Sequence, residues 1–350
     1  MKCEVCNVEL LITHYILHII NSKKMHKVKF GIYKILLYIL LHLPDVFYSV
    51  LFFVAFPVYK ALHTKRAYGR VEQHLANAKK YASMDCFASS PEARNDVARL
   101  ASDNTCVDIC KTQQSCTKCN DVGTVSARDV FKGIFWNALD SYRGLARFKS
   151  VEKRIVFENE EIIREAIAEC AKAGAPIAAI SIHQGAFELL HRSLCRYSEH
   201  VHLITDSVGD EAFREVLKDL RSDPHLTEYH PEETGKLIRE LFRTKGILAM
   251  VFDQGKNTKG NSVKLFGQPS TLYLRLPQKV NQMGAGIVTF RTWTENTPKR
   301  RIIIQFEKYY PPKYDSQNKD LVADIANEVE KWIFEHPEQW SWNYHGNFRT

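Results

Sequence analysis

The sequence predicts an α/β fold, a mixed, mostly parallel sheet flanked by helices, preceded by an N-terminal membrane-anchoring helical segment. Three observations predict it. From about residue 125, short apolar runs alternate with amphipathic stretches of helical length, the pattern of strands joined by helical crossovers. Two of the runs, APIAAISI and ILAMVFD, read as buried strands, apolar nearly throughout as strands covered on both faces are. Residues 35–59, ILLYILLHLPDVFYSVLFFVAFPVY, form an apolar stretch of 25 residues, long enough as a helix to cross a hydrocarbon layer of roughly 30 Å.

The elements follow in order. FKGIFWNALDSYRGLARF has helical spacing, KRIVFE is strand-like, and EEIIREAIAECAKAG is a helix stopped at Gly174. APIAAISI is followed by a helical stretch to Cys195. VHLIT, DEAFREVLKDL, LTEYH and PEETGKLIRELFRTKG read strand, helix, weak strand, helix, the last opened by Pro and closed by Gly246. After ILAMVFD, TLYLRLPQKVNQMG is helical in part. AGIVTFRT and RRIIIQFE are strands, the second antiparallel, and DLVADIANEVEKWIFEHP is a last amphipathic helix.

In the apolar segment, His42, Pro44 and Asp45 interrupt the run. Proline breaks or bends a helix, and an aspartate at bilayer centre costs about 2.5–3.5 kcal/mol. Two half-segments in the membrane plane therefore stand beside one span and a buried core helix as readings. Basic residues flank both sides, Lys23, Lys24, Lys27 and Lys29 before, Lys60, Lys65, Arg66 and Arg70 after, which suits an in-plane anchor with both ends on one face. The earlier run LLITHYILHII leads into NSKKMHK, with no small-residue cleavage site. Met25 opens a more natural basic-then-apolar start, which would leave residues 1–24 as an upstream extension. The expected organisation is an N-terminal extension (1–34), a membrane anchor with its following helix (35–83), a polar cysteine-rich insertion (84–124) and a catalytic domain (125–350).

The chain of 350 residues carries a net charge of +8. That balance suits an anionic membrane face, an acidic carrier protein or a phosphorylated substrate, and equally an ordinary basic pI. Nine cysteines, an odd number unevenly placed, exclude a secreted disulfide framework and point to a reducing compartment. Cys170 and Cys195 read as plain buried thiols. In the insertion, Cys106, Cys110, Cys116 and Cys119 are the weak metal candidates. Structural zinc sites more often use two short hooks separated by a longer loop, so an exposed loop is the preferred reading and no metal is expected.

Ligands of open α/β sheets sit beyond the carboxyl ends of strands, and two such ends, SIHQG and VFDQG, carry polar groups next to glycine. With Gly185 turning the chain, Glu188 can reach back to one nitrogen of His183 and leave the other as a general base. Among 14 histidines and 40 acids, chance supplies about 1.6 pairs at that spacing, so a structural histidine is as open on spacing alone. Asp253 and Gln254 shape the second strand end or only close it with local hydrogen bonds. The following GKNTKGN is a near miss to a phosphate loop, with Asn261 where lysine is needed. There is no G-x-S-x-G and no H-E-x-x-H, which excludes a serine-hydrolase elbow and that class of zinc protease.

HQGAFELL resembles the H-x-G-x-W-E-L motif of the lipid A biosynthesis lauroyl/myristoyl acyltransferases. LLHLPDVFYSVLFFVAFPVYKALHTKRAYGRVEQHL is similar to that family's membrane anchor, and FKGIFWNALDSYRGL to its next helix. GILAMVFDQGKNTKGNSVKLFGQPSTLYL resembles its D-Q block, and HPEQWSWNYHGNFRT its closing motif. The insertion, Thr205-Asp206-Ser207, Phe187 in place of tryptophan, and Gly346-Asn347 depart from the pattern, which leaves the acceptor open. The resemblance implies a glycerolipid-acyltransferase-like fold at the cytoplasmic membrane, facing the cytoplasm. It implies acyl carrier protein thioester as donor and a lipid A precursor or related glycolipid as acceptor, and a monomer without nucleic acid. No cofactor is expected, because a thioester is already activated. His183 would be the base and Glu188 its partner. Arg214 or Arg221, with Asp253 and Gln254, would bind substrate, and backbone N–H groups near Gly185 or an arginine would hold the oxyanion. Trp340 and Trp342 read as packing or membrane-interface residues. Another glycolipid or an aminolipid as acceptor, and an inactive scaffold or metal-binding relative, are the alternatives.

Overall fold

The computed structural model describes residues 26–63, 67–88, 124–205, 211–254, 259–295 and 300–342; the four insertion cysteines named above lie outside them, as do residues 1–24. Helices α1 (His26–His42), α2 (Asp45–His63), α3 (Gly69–Ala88) and α4 (Ala127–Ala146) precede the sheet. Strands β1 (Ile155–Glu158), β2 (Ile177–Ser181), β3 (Val201–Ile204), β4 (Leu226–Tyr229) and β5 (Ile247–Val251) alternate with α5 (Glu160–Lys172), α6 (Leu190–Leu194), α7 (Glu211–Arg221) and α8 (Thr234–Thr244). A hairpin, β6 (Asn261–Leu265) and β7 (Gln268–Leu272), leads to α9 (Arg275–Gln282), then β8 (Gly286–Thr294), β9 (Ile302–Tyr310) and α10 (Leu321–Glu335).

Seven strands form one sheet in the order β1-β9-β8-β2-β5-β3-β4. Every pairing in it is parallel except β8 with β9. The fold class expected from the sequence is the one observed. The antiparallel edge is two strands wide, because β1 runs with β9 and both oppose the rest. The central strand β2 is buried at every residue. Its alternate side chains feed two cores: Ala178 and Ile180 join α4, α8, α9 and α10 on one face, while Ile177 and Ala179 join α5 and α6 on the other. This is the three-layer solution that a doubly covered sheet requires.

The hairpin β6–β7 stands where a loop and the start of a helix are expected. Its two-residue turn, Phe266-Gly267, has positive φ at both positions, the geometry that matches strand twist. Phenylalanine is a poor residue for that conformation, so the usual Asn-Gly signal is absent. The Phe266 N–H compensates by donating to Glu330 at 2.6 Å. The stretch after β2 is also less helical than expected: a turn and Phe187–Leu189 in 3-10 form lead to only five residues of α6. Helix α3 runs to Ala88, past the expected start of the insertion.

The apolar segment is not one continuous helix. Pro44 separates α1 from α2, and Asp45 falls in the first turn of α2, where a carboxylate complements the exposed N–H groups. Arg143 of α4 bonds the Asp45 carboxylate and the Leu43 carbonyl, so the break is held from the sheet domain. Asp45–Leu62 is long and apolar enough to cross a membrane by length and composition, and only 22% of it is buried; it is not a core helix.

Helix α4 joins these parts. Its N-terminus carries a capping box between Ser126 and Asp129, which satisfies two otherwise orphaned donors. Gly133 presses on the Glu338 backbone so closely that a Cβ would overlap the carbonyl, and Asn137 donates to the Gln339 carbonyl at 2.9 Å. Gly133→Ala is therefore expected to separate α4 from the C-terminal segment and to destabilise by about 1–3 kcal/mol, read as a lower urea midpoint at unchanged slope.

Candidate active site

Strands β2 and β5 are neighbours, with Ser181 opposite Val251. Pairing continues one residue further, Phe252 N–H donating to the Ser181 carbonyl at 2.9 Å. Two residues beyond each strand end stand His183 and Asp253, so the two polar exits meet. Asp253 Oδ1 lies 2.6 Å from His183 Nδ1. The His183 backbone N–H lies 3.1 Å from both carboxylate oxygens, and the Trp340 indole N–H donates to Oδ2 at 3.1 Å. The Asp253 side chain is wholly buried, while the imidazole keeps 15% exposure. Three donors thus satisfy the oxygens of this buried carboxylate. It fixes the Nδ1–H tautomer of the histidine and directs Nε2 to chemistry.

Glu188 does not bond His183. Both its oxygens accept from Arg221, at 2.7 and 2.9 Å, and Arg221 also reaches Glu228 at 3.3 Å. Thr205 completes the group by donating to Glu228 at 2.6 Å. The reason is placement. The turn after Gly185 sends residue 188 toward the C-terminal end of α7, while Asp253 arrives from the adjacent strand and occupies Nδ1 first. Burial alone would raise the Glu188 carboxyl, but the Arg221 guanidinium overrides it and holds it below the usual range. Burial likewise opposes the Arg221 charge, and Glu188 more than restores it.

Other expected roles change with the geometry. Gly185 makes the turn, with φ +56 and no room for a Cβ against the Thr292 carbonyl. Its N–H donates to the Gln339 carbonyl at 3.1 Å, so it is not an oxyanion donor. Arg221 is committed to two carboxylates and only 12% exposed, so it is not a substrate contact. Arg214 lies two turns earlier on the same face of α7, about 10 Å along the axis, and is not brought to His183. Gln254 follows Asp253, and its buried Nε2 has no hydrogen-bond partner among the described residues. Phe187 sets its ring edge-on to His183 at 4.6 Å. Trp340 and Trp342 are fully buried, which places neither at a membrane interface.

The C-terminal segment closes the site from behind. Gln184 pairs with Trp340 in an isolated bridge and donates to the Trp332 carbonyl at 2.8 Å. The Gln339 side chain brackets the Thr294 backbone on β8. Trp340 is the functional residue that the sequence reading missed; its only signal was an aromatic in the closing motif, which packing explains as well. Among the described residues no group of three or more histidines, cysteines or carboxylates is placed to hold a metal. Burial pushes the half-buried Cys195 thiol up to about 12, and Cys170 is buried and likewise raised, which disfavours the thiolate at both.

A histidine held by a buried carboxylate at the carboxyl ends of adjacent parallel strands makes this an α/β protein whose candidate site has the geometry a general base requires. The model of the bacterial lipid A biosynthesis acyltransferases matches residues 145–350, which span every strand of the sheet and the whole site. The chain belongs to this family of acyltransferases. Comparison with curated proteins finds no match.

The Glu188–Arg221 pair makes a prediction about stability. The folded carboxyl titrates below its ordinary value of 4.5, so the unfolded chain takes up the proton first. The contribution is fully present above that ordinary value and is lost as pH falls through the lowered one. Glu188→Gln, which leaves Arg221 short of a buried partner, is expected to destabilise by about 3 kcal/mol at neutral pH. The gap from the parent narrows as pH falls below 4.5, measured by denaturant unfolding at a series of pH values.

Proposed function

We propose that this protein transfers a fatty acyl chain from an acyl carrier protein thioester to a hydroxyl of a lipid A precursor, at the cytoplasmic face of the membrane. The observation that carries the reading is the 2.6 Å bond from the buried Asp253 to His183 Nδ1, in a chain of the acyltransferase family. His183 Nε2 takes the proton of the acceptor hydroxyl as its oxygen attacks the thioester carbonyl. The tetrahedral intermediate then expels the thiolate, and the imidazolium returns the proton to that sulfur. An ester bond forms, a thioester bond breaks, and no covalent acyl-enzyme is required.

Asp253 is the partner that orients His183 in this reading, and Trp340 fixes Asp253. Glu188 is a structural carboxylate of the turn after His183, kept ionised by Arg221. The Gln254 amide, unpartnered among the described residues, is the side-chain donor we assign to the developing oxyanion. Membrane association is supported by the exposed apolar faces of α1 and α2.

The test is turnover of acyl carrier protein thioester with a lipid A precursor, read by mass spectrometry of both. His183→Ala is expected to reduce kcat by at least about 10³-fold, through loss of the base. Asp253→Asn, isosteric but uncharged, presents an amide to Nδ1 and inverts the tautomer, with an expected loss of about 10²–10⁴-fold. Undiminished turnover by His183→Ala overturns the assignment.

A further inference from the structure

Helix α2 is apolar around most of its circumference, yet only one stripe of it touches the protein. Tyr48, Phe52, Phe56 and Tyr59 are buried, at spacings of four, four and three that put them on one line along the helix. They pack on Phe131 and Phe135 of α4 and on Tyr68, with ring centroids 5.2–6.4 Å apart. At 100° per residue, the exposed Val46, Phe47, Val50, Phe53, Val54 and Val58 fill an arc of about 140° on the opposite side. The arc carries no charged residue. Ser49 and Lys60 mark its edge, and Lys60 and Arg128 sit over aromatic rings there, at 4.6 Å from Tyr68 and 5.9 Å from Phe56. Helix α1 adds further exposed apolar side chains, with Ile35, Tyr38 and Ile39 more than half exposed.

A helix that crosses a bilayer meets lipid around its length. Here the buried stripe runs about 16 Å along the axis against α4, which is joined to the sheet and the C-terminal segment. A crossing by α2 would carry the exposed Arg128 and Lys132 of α4 into hydrocarbon, where each basic group costs about 2.5–3.5 kcal/mol. Lying flat satisfies every group. The apolar arc enters the acyl region, the edge cations meet phosphate head groups, and the sheet domain stays in water. Pro44 and the Arg143 contacts hold α1 and α2 as two segments of one surface. We infer that α1 and α2 form a two-helix anchor lying in the plane of an anionic phospholipid bilayer, with neither helix crossing it. This inference rests on the membrane association proposed above and specifies its geometry.

The experiment uses the full chain with vesicles of phosphatidylethanolamine and phosphatidylglycerol. The exposed Phe47, Phe53 and Leu62 are replaced singly by tryptophan, at the start, middle and end of α2. Lipids brominated near the head group or near the chain end quench each new indole according to depth, read as the difference from the parent. All three positions are expected to be quenched alike and most strongly by the shallow bromines. Phe53→Ser, which removes one lipid-facing ring, is expected to weaken vesicle binding by at least about tenfold. Strong quenching of Phe53→Trp alone by the deep bromines, with shallow ends, is the signature of a crossing and overturns the in-plane geometry. A parent chain that fails to sediment with these vesicles overturns the membrane reading itself.

Discussion

The bond between His183 and the buried Asp253 carboxylate is the constraint around which this molecule is arranged. A carboxylate with no exposed surface is strongly disfavoured unless donors surround it. The surrounding donors come from separate parts of the chain: the ring and backbone N–H of the segment after β2, and the indole of Trp340 near the C-terminus. Each must be positioned independently, and much of the architecture follows. The parallel β2–β5 pairing aligns the two exits. Gly185 turns the chain under Thr292, and the Gln184–Trp340 bridge brings the C-terminal segment back to the strand ends. The C-terminal aromatics, which pack like core, are thus also part of the electrostatics of the site.

A second carboxylate stands close by with a different assignment. Glu188 is paired with a guanidinium that is itself shared with Glu228, and this pairing, against the opposing effect of burial, holds Glu188 ionised. Asp253 bonds the histidine directly, whereas Glu188 bonds Arg221. Two carboxylates near one imidazole thus have different partners. The arginine that a sequence reading sets against the substrate serves instead to keep one of them ionised.

Most of the fold was legible because its signals are local. Buried strands read as continuous apolar runs, and amphipathic helices between them carry proline, glycine and acidic markers at their ends. What escaped was non-local or locally atypical. Phe266 in a left-handed conformation gives no hairpin signal, since its turn is stabilised from Glu330 on α10. The partner of His183 escaped for a topological reason. Glu188 is five residues away and Asp253 is seventy, and only the insertion of β5 beside β2, ahead of β3 and β4 in the sheet, makes the distant one the neighbour. The two strand ends were recognisable as sites separately; that they form one site is a property of strand order, which no spacing along the chain encodes.

Helix α4 then ties the site to the surface that carries the anchor. One side of it packs the aromatic stripe of α2 and grips the α1–α2 break through Arg143. The other presses Gly133 and Asn137 on the backbone of residues 338 and 339, the residues immediately before Trp340. A single rigid helix of 20 residues therefore lies between the apolar surface and the indole that holds Asp253. The orientation of the histidine relative to that surface runs through packing on both sides of α4 and the buried contacts of Trp340. In the reaction proposed above, where the imidazole meets a lipid hydroxyl and an acyl thioester, such a fixed relation would keep His183 at one height above the anchoring surface.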